Sequence, residues 1–196
     1  MVRLMIRIGI IGDIGSGKSH VAKQFGGPVF NADYEVARLY RKNRKCYKKL
    51  RKILPSYITS FPVKKSFLNL AIEENPKNLK KITDIIHPEI RYKMNNFIKR
   101  NKNKKFIVLD IPLLIENKIN RKNDVLIFVD ASKREIYKRL RKRPNFDPKI
   151  IKKLKKLQLP IETKKKKSNF IIKNNFKNKS LKKNVKRILD KIILYA

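Results

Sequence analysis

The sequence predicts a three-layer α/β fold, a parallel sheet flanked by helices and carrying a phosphate-binding loop, with a helical insertion and a lid. Three observations predict it. Short β-branched or aromatic apolar runs recur at residues 7–12, 29–30, 106–109, 125–129 and 170–172, several leading into Gly or Asp. Helical periodicity separates them, the alternation that produces parallel strands joined by right-handed crossovers. The octet Gly12-Asp13-Ile14-Gly15-Ser16-Gly17-Lys18-Ser19 follows the first run and fits G-x-x-x-x-G-K-[ST] at every fixed position.

In chain order, residues 7–12 (RIGIIG) read as a buried strand feeding a tight turn, and helical spacing runs from 18 to 25 until Gly26-Gly27-Pro28 breaks it. Residues 29–30 form a second short strand that delivers Asp33 at its C-terminal end, and a helix follows over about 34–42. Between 46 and 100 no stretch reads as strand. Helices are expected there at 66–74, at 77–86 and after Pro88, with His87 and Pro88 as a helix-start pair; this is the insertion. FIVL at 106–109 and VLIFV at 125–129 are buried strands ending at Asp110 and Asp130. Residues 133–143 form a basic helix, and 144–167, broken by Pro144, Pro148 and Pro160, suit a mobile helical flap. A strand at 170–172 and a helix over 181–194, striped by Val185, Ile188, Leu189 and Ile192, complete the chain. One domain is expected: a nucleotide core (about 1–33, 104–136 and 168–196), a helical substrate region (about 34–103) and a lid (about 137–167).

The 196 residues include 52 Lys plus Arg against 15 Asp plus Glu, a formal net charge of +37. Such a charge attracts polyanions. Here it is diffuse, with Lys, Asn and Ile crowding the whole chain as A/T-rich codons would produce, so no specific nucleic-acid partner is expected. The single Cys46 excludes an internal disulfide and, with no Cys/His cluster, a zinc site. Arg3 and Arg7 interrupt the apolar start, which lacks the organisation of a signal peptide, and no run approaches a membrane span. A cytoplasmic protein without membrane association is expected.

The octet has this spacing because successive backbone N–H groups curl around phosphates, which side chains at Gly15 and Gly17 would obstruct. Lys18 supplies a point charge and the Ser19 hydroxyl can ligate Mg²⁺. Asp33 reads equally as a carboxylate that accepts a substrate hydroxyl proton and as a helix N-cap. Asp110, ending FIVLD, suits a magnesium-holding acid or a strand-end turn residue. Glu116 lies beyond that turn. Arg139 and Arg143, four apart on a helix, can clamp ATP phosphates or stack on adenine, or simply be solvated.

IGIIGDIGSGKS (8–19), FNAD (30–33), HPEI (87–90), DIPLLIEN (110–117), Gln158 and Asn174-Asn175 together resemble the dephospho-CoA kinase family, in order and over nearly the whole chain. The resemblance implies a P-loop kinase that phosphorylates the ribose 3′-hydroxyl of dephospho-CoA with Mg-ATP, the last step of coenzyme A synthesis, as a monomer or weak homo-oligomer. It implies Asp33 as base, Lys18 and the loop from Gly12 through His20 at the ATP phosphates, and Ser19 with Asp110 at magnesium. It places His87, Pro112, Leu113 and Glu116 near the acceptor, and Arg139 and Arg143 on the ATP side. The rival readings are another nucleoside or nucleotide kinase of this fold and a basic nucleic-acid-binding ATPase. Five positions depart from the family pattern: Asp13 for a small residue, His20 for threonine, Asn31 for a first aspartate, Ile161 for a lid arginine, and Phe176 for glycine. Lys164 to Lys167 are the expected substitutes for the lid cation.

Overall fold

Ile8, Ile10, Val108, Ile127 and Val129 are almost wholly buried because they lie in the central strands of a five-stranded parallel sheet. The computed structural model describes residues 5–142 and 146–194. Its strands are β1 (Ile6–Gly12), β2 (Val29–Asn31), β3 (Phe106–Asp110), β4 (Val125–Asp130) and β5 (Phe170–Lys173), in the order β2-β3-β1-β4-β5. Strands buried on both faces are continuous in apolar character, which is why these short runs announce themselves in sequence. The chain runs out from β1 to either side, so a crevice opens at the C-terminal ends of the strands, where ligands of open α/β sheets bind. The register sets Gly12 opposite Val129 and Asn31 opposite Asp110 at that edge.

Helices α1 (Lys18–Gln24) and α9 (Asn178–Leu194) share one core with the sheet: Val21, Ala22 and Phe25 meet Leu181, Val185, Ile188 and Ile192 over Ile8 and Ile10. Each buried Val, Leu, Ile or Phe side chain among them contributes about 1.5–3 kcal/mol of transfer free energy. α9 begins three residues before its apolar periodicity does, since its first turn, Asn178-Lys179-Ser180, is polar and leaves no stripe to read. α8 (Ile161–Lys167) packs on β1 and β4, so helices flank the sheet and the α/β class expected from the sequence is the one found. α6 (Lys133–Arg141) is capped by Ser132, whose Oγ accepts from Glu135 N at 3.2 Å, and α7 spans Pro148–Lys156. Arg143 lies outside the described residues. At the other edge of the sheet, Arg7 Nε meets Asp124 Oδ1 at 3.0 Å inside the protein. Burial pulls the guanidinium of Arg7 down and pushes the carboxyl of Asp124 up, each opposed by its partner.

The chain divides into two compact units, Met1–Asn31 with Asn101–Ala196, which carry the sheet, and Ala32–Arg100. The second consists of α2 (Ala32–Lys42), α3 (Arg44–Ile53), α4 (Lys65–Glu74) and α5 (Lys77–Arg100) around Leu39, Cys46, Leu50, Ile58, Ala71, Ile82 and Ile86. Asn43 caps α3 through Oδ1, which accepts from Cys46 N at 2.8 Å. Two local expectations are corrected here. His87 and Pro88 do not start a helix, because α5 continues through them; proline removes one amide from the ladder, and the packed Ile82, Ile86 and Met94 hold the rest of a long helix together. Asp33 does not precede α2 either: the helix begins at Ala32 and Asp33 lies in its first turn, where a carboxylate suits the positive end of the helix.

Candidate active site

The phosphate loop leaves β1 at Gly12 and enters α1 at Lys18. Gly15 and Gly17 have φ of 84° and 88°, the left-handed region where a side chain is strained. At Gly17 a Cβ would also come within 2.5 Å of Asn174 Nδ2. That amide is the loop's anchor: Asn174 donates from Nδ2 to Ser16 O at 2.8 Å, its own N–H donates to Asp130 O at 2.7 Å, and its Oδ1 accepts from Phe176 N at 3.0 Å. The strand-end carbonyl of β4 and the turn after β5 thereby fix the curl of the loop. Lys18 folds its ammonium back over the loop, donating to Asp13 O at 2.8 Å and Gly12 O at 3.4 Å. A cation held there stands where phosphates wrapped by the loop amides would find it.

Beside Lys18, three oxygen-bearing side chains converge. Asn31 Nδ2 donates to Asp110 Oδ2 and approaches Ser19 Oγ at 3.5 Å. The parallel register brings Asn31 and Asp110 level, and Asp110 is 3% exposed. The Ser19 hydroxyl and the Asp110 carboxylate are hard oxygen donors of the kind that suits Mg²⁺, which keeps waters and substrate phosphates in its other positions, while the Asn31 amide N–H group orients the carboxylate. A dense cluster of protein carboxylates is not needed for that chemistry, and the described residues contain none. The residues present therefore fit Mg-ATP.

The other expected residues are placed as follows. Arg139 lies over the ring of Phe176, its guanidinium carbon 4.3 Å from the centroid, and that ring lies beside Gly17. Phe176 occupies φ 60°, a conformation easier for the glycine expected there. His20 Nε2 shares a hydrogen bond with Asn178 Oδ1 at 2.9 Å. In the turn after β3, Pro112 is exposed, and Leu113 is held at φ 56°. Glu116 Oε1 takes Lys164 Nζ at 2.8 Å and Leu159 N at 3.1 Å, while Lys164 also donates to Gln158 Oε1 at 2.9 Å. Lys164 is 3% exposed, so the substitution of Lys164 for a lid cation is corrected: desolvation commits it to Glu116. Lys165 lies 3.8 Å from Asp130 and 3.5 Å from Glu162. Asp33 and His87 belong to the helical unit, Asp33 two residues beyond Asn31 and His87 exposed on α5.

Sequence reasoning passed over Asn31 as a mere departure and gave Asn174 no role. The signal for Asn31 was its place at the end of a strand predicted to reach the crevice. Asn174 offered only its place just after the last predicted strand; its 3% exposure belongs to the fold and has no local signal in the sequence.

A family model described as dephospho-CoA kinase matches residues 6–180. Among curated proteins, the dephospho-CoA kinase of Wolbachia sp. subsp. Brugia malayi (strain TRS) is 32% identical over 95% of this chain and 98% of its own length. A crystal structure from Thermus thermophilus is similar with a TM-score of 0.78 and 27% identity, covering 95% of this chain and 97% of the other. The dephospho-CoA kinase from Campylobacter jejuni, 22% identical over 95% and 96% of the two chains, shares the fold with a TM-score of 0.65.

Proposed function

The chain belongs to the dephospho-CoA kinase family, and we propose that it transfers the γ-phosphoryl group of ATP to the ribose 3′-hydroxyl of dephospho-CoA, giving coenzyme A and ADP. The observation that carries the site assignment is the convergence of Ser19, Asn31 and Asp110 beside the Lys18-bearing loop. In this reading the loop amides from Gly12 to Ser19 bind the β- and γ-phosphates. Lys18 exchanges the loop carbonyls for the phosphates and stabilises the charge that develops on the transferred group. Ser19 and Asp110 would hold Mg²⁺, with Asn31 fixing the Asp110 carboxylate, and the ion would supply positive charge against the phosphates. Asp33 accepts the proton of the 3′-hydroxyl as that oxygen attacks phosphorus and the bond to the β-phosphate oxygen breaks, so the proton passes to Asp33 and the electron pair leaves with ADP.

Arg139 and Arg143 serve the ATP side, with Arg139 and Phe176 offering a face for the base. On the strength of the family resemblance we assign His87, Pro112, Leu113 and Glu116 to the acceptor, and Glu116 holds its own turn through its ion pair with Lys164. Residues 137–167 act as a lid whose closure keeps water from accepting the phosphoryl group. No described helix is long and apolar enough to cross a membrane; we take the enzyme to work in the cytoplasm as a monomer or weak homo-oligomer, with no specific nucleic-acid partner. A coupled ADP-release assay tests the reading. Wild-type protein with Mg-ATP should release ADP in proportion to added dephospho-CoA, and Lys18→Ala should lose that activity while keeping its circular dichroism spectrum. Activity of Lys18→Ala within a few-fold of wild type would remove the phosphate-loop assignment.

A further inference from the structure

Asp13 engages two ammonium groups at once. Its carbonyl accepts from Lys18 Nζ at 2.8 Å, and its carboxylate Oδ2 lies 3.3 Å from Lys155 Nζ on α7. The other carboxylate oxygen, Oδ1, accepts from Ile14 N at 2.6 Å, so the loop itself fixes the direction in which the carboxylate faces. The side chain of Asp13 is 10% exposed and that of Lys155 is 48% exposed: the anion is built in, and the cation reaches it from outside.

A carboxylate in a loop that wraps polyphosphate opposes its own ligand by like-charge repulsion. That cost is offset if the charge also recruits a cation. Among the described ion pairs of residues 137–167, the one that reaches the phosphate loop is Lys155 with Asp13; Lys164 is committed to Glu116, and Lys165 lies by Asp130 and Glu162. A cavity of about 380 Å³ lies beside the loop, walled by Ile136, Leu140 and Ile151 and edged by Asp13, Lys152 and Lys155, which leaves Lys155 room to shift. ATP brings several negative oxygens against the single carboxylate of Asp13, so an ammonium poised within one side-chain swing gains by changing partner.

We propose that Lys155 is carried on Asp13 as a preloaded cation and passes to the phosphates of ATP when the nucleotide enters, Asp13 setting nucleotide affinity by competing for it. The proposal rests on the kinase reading above and adds to it a phosphate-binding residue from α7 and a reason for the aspartate at position 13.

Isothermal titration of the full chain with ATP alone tests it, and requires no acceptor. Lys155→Met should weaken ATP binding about tenfold or more, and Lys155→Arg should stay within about threefold of wild type, since either cation can bind phosphate. Asp13→Asn, which keeps an oxygen for Ile14 N, should tighten ATP binding about three- to tenfold, and clearly less in the Lys155→Met background. Equal tightening in both backgrounds would mean simple repulsion and overturn the transfer, as would wild-type affinity in Lys155→Met. Without nucleotide, the Lys155→Met protein should melt within about 2 °C of wild type, because a half-exposed ion pair adds little stability; a larger fall would make Lys155 a structural residue and also overturn the proposal. Failure of dephospho-CoA turnover by the wild type would instead count against the acceptor assignment, leaving the titration to judge Lys155.

Discussion

The side-chain amide of Asn174 donates to the backbone carbonyl of Ser16 at 2.8 Å, tying the turn after β5 to the phosphate loop across 158 positions of sequence. Both groups are buried, and the same side chain accepts from Phe176 N through Oδ1. One residue therefore satisfies two backbone groups, the buried Ser16 carbonyl and the partly buried Phe176 amide.

Asn174→Ala should accordingly cost about 1–3 kcal/mol of stability per buried group left unsatisfied, and should raise the KM for ATP because the loop loses its fixed curl. Urea unfolding and steady-state kinetics measure the two effects. Unchanged stability with unchanged KM would show that the loop holds its shape without this anchor.

Cys46 and Tyr40 give the helical unit a defined alkaline limit. Burial first, then the nearby Glu89, pushes the Cys46 thiol from 9.0 up to about 11. Burial first, then Cys46, pushes the Tyr40 hydroxyl from 10.0 up to about 12. Both folded values lie above the unfolded ones, so the fold favours the neutral forms. The stability this preference contributes is complete below about pH 9 and is lost as pH rises through the window between the unfolded and folded values, about 1.4 kcal/mol for each tenfold change in proton affinity between the two states. Unfolding midpoints in urea should thus be flat with respect to these groups near neutrality and fall between pH 9 and about pH 12, first through Cys46 and then through Tyr40, and Cys46→Ser should reduce the fall. Rapid labelling of Cys46 by a thiol reagent in the native protein at pH 8 would contradict the account.

The phosphate loop was legible because its spacing is dictated by ligand geometry, and the central strands β1, β3 and β4 because burial on both faces leaves apolar runs. Long-range pairings were not. Asn31 meets Asp110 only because β2 lies beside β3, a register between strands separated by the helical unit, which no local pattern encodes. Asp13 with Lys155 is the same kind of pairing, hidden further by a lysine excess that makes any single lysine uninformative. Pro88 misled for the opposite reason: a strong local signal was overridden by packing along α5. Arg143, expected beside Arg139, falls outside the described residues.

Asp33→Asn separates the two readings the sequence left open for this residue. With α2 starting at Ala32, Asp33 does not occupy the capping position, and under the proposed mechanism its contact is to the acceptor hydroxyl. The substitution should lower kcat by about 10²–10⁴-fold and leave the KM for ATP within a few-fold, since a general base acts in the transition state and not on the bound nucleotide. A kcat equal to that of wild type would leave Asp33 as a first-turn carboxylate favouring its helix, worth only the modest stability of such a charge.

The acceptor itself provides the most exposed test. Dephospho-CoA and AMP both present a ribose 3′-hydroxyl beside adenine, so the loop, Lys18 and Asp33 have the same chemistry to perform on either. They differ in the diphosphate and pantetheine that lie far from the reacting oxygen. Binding free energy from such remote parts is used to hold the hydroxyl in line with the γ-phosphorus, and an acceptor that lacks them loses positioning as well as affinity. AMP should therefore show a lower kcat than dephospho-CoA in addition to a higher KM, with kcat/KM reduced by at least about 10³-fold, the scale that several lost remote contacts represent. Because the chain carries a formal charge of +37, part of the preference should come from attraction of the diphosphate and shrink as salt is raised. The kcat difference, a matter of geometry, should persist in high salt. Equal kcat/KM for the two acceptors would displace dephospho-CoA as the substrate and leave a kinase of the same fold that acts on a smaller nucleotide.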